Sequence, residues 1–250
     1  MDMDRPAALV TGASASIGAA FARELATRGH DLVLVARRAE PLHALAAELK
    51  DRHGTATEVL AADLTDRAQA TAVEERLADA GRPIDLLVNS AGALSTGLFP
   101  KLPIEDEVRQ VELNAIVPMR LTHSVLSVML DRGKGSIINV SSIAGVAPTP
   151  FSATYCGGYS FLTTFSQSVD LEVCRYGVTV TAVLPGFTAA EADPARRIQA
   201  ADRVVREALA ANAAGRAVCV PGLRNKRAAA FARLAPRRLV RFVMRAAQDS

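Results

Sequence analysis

The sequence predicts an α/β protein with a doubly wound parallel sheet of about seven strands and helices on both faces. Two observations support this fold class. Short β-rich apolar runs alternate with alanine-rich helical patterns, as in successive βαβ units. The 250 residues are 50% hydrophobic, which is enough for one large core. Right-handed crossovers would then place a ligand crevice at the carboxyl ends of the strands.

Seven runs are predicted as strands and five stretches between them as helices. The strands are Ala7–Thr11, Leu32–Ala36, Thr57–Ala61, Leu86–Asn89, Ser136–Val140, Val178–Leu184 and Ala217–Val220. The helices are near Ile17–Arg28, Ala39–Arg52, Arg67–Ala80, Ile104–Leu130 and Ala153–Tyr176. The stretch from about Ala189 to Arg216 has weak strand signals and is predicted as a substrate-loop insertion over the crevice. Residues 1–222 are therefore expected to form a single domain.

Residues 223–250 form a basic tail that we expect to be helical. They hold eight Arg or Lys residues against one acid, Asp249, so the net charge of +3 leaves 21 basic and 25 acidic residues, or −4, in the rest. Apolar residues such as Phe231 and Leu234 lie among the arginines. A membrane-surface helix is the minor interpretation and a basic face packed over the crevice is the commoner one. Nucleic acid is disfavoured, because stacking aromatics are missing.

Cysteine and histidine usage argues against metal sites and disulfides. Cys156, Cys174 and Cys219 are odd in number, far apart and without a Cys-x-x-Cys spacing. The four histidines are scattered. The first residues lack a signal-peptide pattern, and no run reaches the roughly eighteen apolar residues of a membrane span. We therefore expect a cytoplasmic protein with no metal.

A glycine-rich turn follows the first strand and opens the first helix, with the sequence Thr11-Gly12-Ala13-Ser14-Ala15-Ser16-Ile17-Gly18. Glycines there let the backbone approach a pyrophosphate, and a helix N-terminus supplies N–H groups and a positive dipole end. The predicted nucleotide contacts are Gly12, Ser14, Ser16, Ile17 and Gly18. An ordinary strand-to-helix turn is the alternative.

Arg37 and Arg38 follow the second strand, where a dinucleotide fold meets the adenosine ribose. An acidic residue there would bind a 2′-hydroxyl and favour NAD, whereas an arginine can pair with a 2′-phosphate. Ala36 holds the strand-end position and is not acidic. The sequence thus favours NADP(H), unless the two arginines simply open a solvated helix.

The remaining strand ends carry further candidate motifs. They are Asp63-Leu64, Asn89-Ser90-Ala91-Gly92, Ser141-Ser142 and Pro185-Gly186-Phe187-Thr188. Tyr155 lies thirteen residues after Ser142. In this order and spacing the motifs resemble those of the short-chain dehydrogenase/reductase family, and the resemblance runs from end to end. It implies a Rossmann fold, a small-molecule carbonyl substrate and a homodimer or homotetramer formed through the helices near Ile104 and Ala153.

The resemblance also assigns roles to individual residues. Ser142 would hold the substrate carbonyl, Tyr155 would exchange the proton, and Asn114 would complete a proton-relay water chain. The duller interpretations are a turn residue for Ser142 and a buried polar group for Asn114. Cofactor contacts are assigned to Asp63, Leu64, Asn89, Ala91, Gly92, Pro185, Gly186 and Thr188.

Two positions depart from the family pattern. Ser16 replaces the middle glycine of the first turn and adds a Cβ where the family keeps bare backbone. Tyr159 stands four residues after Tyr155, where the family has a lysine that lowers the phenol pKa and binds the nicotinamide ribose. Tyr159 lies on the same helix face as Tyr155 and can offer a hydroxyl to the ribose, but no charge. Gly157 and Gly158 between them suggest either a close backbone approach or mere sequence drift.

Loss of the lysine affects the two reaction directions unequally. Ketone reduction needs only a neutral phenol as acid, whereas alcohol oxidation needs the phenolate as base. The first hypothesis is therefore an NADPH-dependent ketone reductase with Tyr155 as general acid. A cofactor-binding pseudoenzyme or scaffold, and a non-redox cyclase or dehydratase, remain as alternatives.

Overall fold

A computed structural model describes residues 5–186, 201–236, 238 and 239. Seven parallel strands form one sheet, in the order β3-β2-β1-β4-β5-β6-β7. They are β1 (Ala7–Thr11), β2 (Asp31–Ala36), β3 (Thr57–Ala61), β4 (Leu86–Asn89), β5 (Gly135–Val140), β6 (Val178–Val183) and β7 (Val218–Cys219). The order reverses between β1 and β4, so the predicted doubly wound fold is confirmed.

Eight α-helices are described. They are α1 (Ser16–Thr27), α2 (Ala39–His53), α3 (Arg67–Ala78), α4 (Ile104–Val111), α5 (Val117–Arg132), α6 (Ala153–Val173), α7 (Ala201–Ala213) and α8 (Leu223–Leu234). The seven predicted strands agree with β1 to β7, and the five predicted helices agree with α1 to α6, to within a few residues at each end. One long predicted helix is divided into α4 and α5.

Helices cover both faces of the sheet because every central strand is apolar on both sides. In β2, Leu32 and Leu34 pack towards α1, α2 and α7, whereas Val33 and Val35 pack towards the opposite core. That second core contains residues of α3, α5 and α6. Side chains alternate between the faces of a strand, so near-continuous Val and Leu runs require a helical layer on each side.

The prediction of a loop insertion over the crevice is wrong for residues 201–213. They form α7, which packs against α1 and buries Val204, Val205 and Ala208 completely. Its apolar residues form one stripe of the helix, but alanine makes this stripe inconspicuous in the sequence. Residues 189–200 of the predicted insertion lie outside the described residues. The first part of the basic tail forms α8; Arg237 and residues 240–250 also lie outside.

The long helix predicted from Ile104 to Leu130 contains a π-helical turn at Glu112–Ile116. Asn114 lies in this turn and is buried. The helical stretch Ile104–Arg132 is long and apolar enough to cross a bilayer by composition, contrary to the expectation from the sequence, but 50% of its most apolar window is buried in the protein. It packs beside α3 and α6 as part of the core.

Candidate active site

The glycine-rich turn brings the end of β1 against the loop after β4. Gly12 has φ +66°, and a Cβ on it would come within 2.9 Å of the backbone of Ser90 and Ala91. A Cβ on Gly18 would overlap the carbonyl oxygen of Gly12. Gly12 therefore shapes the wall of the crevice, whereas Gly18 allows α1 to pack closely on the turn.

The N-terminus of α1 opens into the crevice. Its N-cap residue is Ala15, and no side chain of the described residues caps the helix. The first-turn N–H groups and the positive end of the helix dipole are thus available to an anionic ligand. Ser16 and Ile17 line the catalytic cavity described below, and Ser16 also lines the adjoining nucleotide cavity.

The nucleotide cavity, of about 590 Å³, lies beside the ends of β1 to β4. It contains most of the predicted adenosine contacts: Gly12, Ser14, Arg37, Arg38, Asp63, Leu64, Ala91 and Gly92. Arg37 and Arg38 are exposed at its rim. Ala36 also lines it, so the end of β2 presents no carboxylate to a 2′-phosphate.

Arg109 of α4 is a cavity residue that the sequence did not reveal. Its guanidinium forms an ion pair with Asp63, whose other carboxylate oxygen accepts hydrogen bonds from the backbone N–H and hydroxyl of Thr65. Partial burial opposes ionisation of Asp63, but the Thr65 hydrogen bonds and the Arg109 charge outweigh it and hold the pKa of this carboxyl below its usual value. The part of the nucleotide cavity predicted to bind adenosine, which we call the adenosine end, thus contains an ion pair and hydrogen bonds that are already formed without a ligand.

Asn89 does not line the nucleotide or the catalytic cavity. Its side chain is buried and donates to Asn139 Oδ1 at 2.9 Å, and Asn139 in turn donates to Ser166 Oγ at 2.8 Å. Asn89 thus joins β4 to β5 and α6, and its predicted contact with a cofactor stays a prediction. By holding β4 in place, it positions Ser90 and Gly92, which line both cavities, and Ala91, which lines the nucleotide cavity.

The catalytic cavity, of about 180 Å³, brings Ser142, Tyr155 and Tyr159 together with Gly92, Pro185 and Gly186. These residues come from the ends of β4, β5 and β6 and from α6, as expected. Thr188, the remaining predicted contact, lies outside the described residues.

Ser142 is held by a 3₁₀ turn at Ile143–Gly145. It is the N-cap of this turn, and its Oγ accepts a hydrogen bond from the N–H of Ala144 at 3.2 Å. A Cβ on Gly145 would lie 2.8 Å from the backbone carbonyl of Tyr159, so the turn packs directly on α6. The neighbouring Ser141 points inward and donates to the carbonyl oxygen of Tyr159. Ser142 is therefore fixed relative to the tyrosine helix.

Tyr155 and Tyr159 share one face of α6. Their rings meet edge to face, with centroids 4.6 Å apart and planes at 79°. Tyr155 is half-buried, whereas Tyr159 is buried and its hydroxyl lies next to Gly92. A Cβ built on Gly92 would be only 2.6 Å from that hydroxyl oxygen. The glycine of the β4 loop thus makes room for the phenol that stands in the lysine position.

The Asn114 side chain binds the backbone of the same loop, at Ala93. Its Oδ1 accepts from the N–H of Ala93 and its Nδ2 donates to the carbonyl of Ala93, both at 2.8 Å. The side chain therefore has backbone partners and positions the Gly92-Ala93 segment beside Tyr159. The π turn adds one residue to the helix at this point, which is a frequent feature of functional sites.

Among the residues that the structure describes, those lining the catalytic cavity carry no charge. The four lysines of the chain, Lys50, Lys101, Lys134 and Lys226, all lie elsewhere, and Lys226 faces Glu207 at 3.8 Å. No lysine therefore substitutes for the missing one.

The glycines between the two tyrosines do not mark a close approach within the protomer. A Cβ on Gly157 would meet nothing within 4 Å, and one on Gly158 would be 3.6 Å from the Cβ of Asn114, an ordinary contact. Neither position requires glycine for space in this chain.

A third cavity, of about 460 Å³, adjoins the catalytic one. It extends between the segment from Ser142 to Ser152 and helix α8, which contributes Ala228, Ala229 and Ala232. The basic tail thus forms a wall of the crevice, in agreement with the commoner of its two interpretations.

Comparisons with known proteins identify the family to which this sequence is similar. A family model for short chain dehydrogenases matches residues 6–201. Nodulation protein G from Rhizobium sp. (strain N33) is 37% identical over 180 residues, 72% of either chain. A very-long-chain 3-oxoacyl-CoA reductase from Anas platyrhynchos is 34% identical over 188 residues, which are 73% of this chain and 59% of that protein.

Solved structures show the same similarity. A short-chain dehydrogenase from Sphingobium yanoikuyae in complex with NADPH is 38% identical, with a TM-score of 0.83 over 87% of this chain and 88% of that one. A bulky-bulky ketone specific alcohol dehydrogenase from Comamonas testosteroni is 34% identical, also with a TM-score of 0.83, over 88% of both chains. The chain therefore belongs to the short-chain dehydrogenase/reductase family of oxidoreductases.

Proposed function

We propose that this protein reduces a ketone to an alcohol with NADPH, with Tyr155 as a neutral general acid and Ser142 as the residue that holds the carbonyl. The observation that supports this most directly is the convergence of both hydroxyls in one cavity beside the nucleotide-binding turn. Membership of a family of NAD(P)-dependent oxidoreductases provides the reaction class.

The described residues fit a nicotinamide dinucleotide with a 2′-phosphate. The close Gly12 turn and the uncapped N-terminus of α1 suit a pyrophosphate, and Arg37 at the end of β2 suits the phosphate on the ribose. When bound, NADPH supplies the hydride. Ser16 adds a side chain at the junction between the nucleotide and catalytic cavities, and its hydroxyl can donate to an anionic oxygen there.

Ser142 and Tyr155 divide the remaining work. The Ser142 hydroxyl orients the carbonyl oxygen by donating to it, and the Tyr155 phenol gives its proton to that oxygen as negative charge develops. No described side chain that lines the cavity is cationic, so no charge of the kind that a lysine would supply is present there to stabilise a phenolate. Reduction, which uses the phenol, is therefore the direction that this site supports.

The decisive experiment replaces Tyr155 with Phe. Consumption of NADPH with a panel of ketones should fall about 10²–10⁴-fold, the usual contribution of general acid catalysis. Tyr176→Phe is the matched control, because Tyr176 is exposed and lies outside the cavities. Its rate should stay within twofold of the unmodified protein, given the small effect expected of a remote surface change. A Tyr155→Phe enzyme with unchanged turnover would remove the phenol from the mechanism.

The buried position of Tyr159 supports one alternative, a cofactor-binding pseudoenzyme. Its hydroxyl adjoins Gly92 and brings no cation to the nicotinamide end. NADPH binding, followed by nucleotide fluorescence, combined with no reduction of any ketone would favour this alternative. A dehydratase or cyclase would instead convert a carbonyl substrate without consuming NADPH.

A homodimer or homotetramer is the proposed assembly. Helices α4 and α6 pack together and expose large apolar side chains, including Ile104 (57% exposed), Val108 (61%) and Phe161 (42%). A second copy would cover them. Sedimentation should therefore give a species larger than 26.4 kDa at micromolar concentration. Val108→Glu with Phe161→Glu should dissociate it, whereas Leu234→Glu, which replaces an apolar residue exposed on α8, should not. A monomeric unmodified protein would overturn the assembly.

A further inference from the structure

We propose that the ketone carries a large uncharged apolar substituent, of the size of an aryl group or a medium-length alkyl chain, which lies in the cavity under helix α8. This substrate class rests on the reductase activity proposed above. We call the 460 Å³ space between the segment 142–152 and α8 the α8 cavity.

The α8 cavity adjoins the catalytic cavity. Four residues line both of them: Leu94, Ser142, Tyr155 and Gly186. A carbonyl held between Ser142 and Tyr155 would therefore have one of its two substituents directed into the α8 cavity. Its volume of about 460 Å³ lies in the range of pockets that bind drug-sized molecules.

The walls of the α8 cavity are apolar. Most of the lining side chains are aliphatic or aromatic, including Leu94, Ile143, Val146 and Phe151. Among the described residues, its polar lining consists of the hydroxyl residues Thr96, Ser142, Thr149, Ser152 and Tyr155, and none is charged. A charged substituent would lose its hydration there without gaining a partner, whereas each buried methylene should improve affinity about fourfold.

Helix α8 determines the depth of the cavity. Its inner face contains Asn225, Ala228, Ala229 and Ala232, at the i, i+3, i+4, i+7 positions of one helical stripe. The Asn225 side chain adjoins Gly186 and donates to the carbonyl oxygen of Pro221. Three alanines at the other positions leave open the space that larger side chains would fill. They are therefore specificity-determining residues.

Phe151 provides an aromatic rim for the same space. It has φ +61°, a conformation that non-glycine residues rarely adopt, and its carbonyl accepts a hydrogen bond from the N–H of Gly97 at 2.9 Å. This bond ties the segment before α6 to the loop after β4. The Phe151 side chain lines the cavity while remaining about half exposed, so an apolar substituent would cover it.

Three methyl ketones test the substrate class with one carbonyl environment. With NADPH, kcat/KM for 4-phenyl-2-butanone should exceed that for 2-butanone at least 100-fold, and 4-oxopentanoate, which carries a carboxylate, should react no better than 2-butanone. Equal values for the first two ketones, or a preference for 4-oxopentanoate, would overturn the proposal while leaving the reductase activity intact.

Two alanine variants on α8 test the location. Ala232→Phe places a ring in the cavity and should raise KM for 4-phenyl-2-butanone at least tenfold, so that the preference for this ketone over 2-butanone falls. Ala230→Phe is the control, because Ala230 is exposed on α8 and does not line the cavity. Equal effects of the two variants would refute this location of the substituent.

A binding measurement separates failure of this proposal from failure of the reductase activity. Calorimetric titration with 4-phenyl-2-butanol should show binding to the unmodified protein and to Ala230→Phe, and weaker binding to Ala232→Phe. If no ketone is reduced but this pattern is found, the reductase fails and the apolar site stands. If ketones are reduced and the alcohol binds all three proteins equally, the reductase stands and the apolar site fails.

Discussion

The two ends of the crevice differ in the charge of the residues that line them. At the adenosine end, three arginines and Asp63 surround the nucleotide cavity. At the substrate end, the described residues lining the catalytic cavity and the α8 cavity carry no charge. With the proposed ligands, one end would select by charge and hydrogen bonding, and the other by shape and apolar area. Salt should weaken recognition of the nucleotide much more than that of the ketone.

The two ends also differ in how they are assembled. The nucleotide cavity is built largely by residues that directly follow β1 to β4, so their positions are fixed by the sheet. The substrate end combines the turn after β5, helix α6 and the distant helix α8. Tyr159 lies where the two ends meet, and changes there should affect both of them.

The first prediction returns a cation to this junction, where the two ends meet. Tyr159→Lys would place an ammonium near Tyr155, and an opposite charge at close range typically lowers a phenol pKa by about 1–3 units. Oxidation of an alcohol by NADP⁺ near pH 8 should rise at least tenfold, since more phenolate would be available to act as base. Gly157 and Gly158 leave helical spacing intact, so the introduced lysine would keep its side chain on the cavity face.

Tyr159→Phe is the control for this gain. It retains the ring packing against Tyr155 but supplies neither charge nor hydroxyl. It should leave the rate of alcohol oxidation the same as in the unmodified protein. A similar gain in both variants would mean that removal of the phenol, rather than addition of charge, activates the site.

The next effect concerns the adenosine end. Arg37→Asp should reverse the preference for NADPH over NADH, because a charge-assisted contact contributes about 1.5–3 kcal/mol, or roughly 10–150-fold in affinity. Binding of both nucleotides is measured by fluorescence titration. Arg206→Asp has the same change in charge at an exposed site outside the nucleotide cavity and should keep the preference. Equal affinity of the unmodified protein for the two nucleotides would contradict this prediction.

This contrast between the two ends explains what the sequence could and could not predict. The strands and the residues of the adenosine end could be predicted from the sequence. The apolar runs that mark the strands and the motifs that follow them occur within a few residues of each other. The α8 cavity could not be predicted, because Ala228 and Ala232 lie far along the chain from Val146 and Phe151, and only the fold brings these residues around one space. Helix α7 was missed because its alanines make the apolar stripe inconspicuous. Arg109 was missed because, along the sequence, it lies on a helix many residues from any strand end. Asn89 was recognised as a candidate, but only the structure shows that its side chain donates to Asn139.

A pair of glycine variants tests how tightly the catalytic turn is packed. Gly145→Ala should destabilise the protein by about 1–3 kcal/mol, because its Cβ would press on the backbone of Tyr159. Gly157→Ala should stabilise it by up to about 1 kcal/mol, since the site is open and alanine favours helix. Urea denaturation measures both. Equal stability changes would mean that the Ser142 turn is not held against α6 as described.

The smallest effect is that of Asp63 at the adenosine end. Its ion pair with Arg109 is partly exposed and screened by solvent, so Asp63→Asn should cost no more than about 1 kcal/mol of folding stability at pH 7. The pKa of Asp63 is lowered in the folded protein, so the stabilisation is fully present above the usual carboxyl value of 3.8 and is lost as pH falls through the lower, folded value. Denaturation of the two proteins should therefore differ at pH 7 and converge towards pH 3. A difference that persists at low pH would show that Asp63 stabilises the fold through its shape and neutral hydrogen bonds. The charged character assigned to the adenosine end would then depend on its arginines alone.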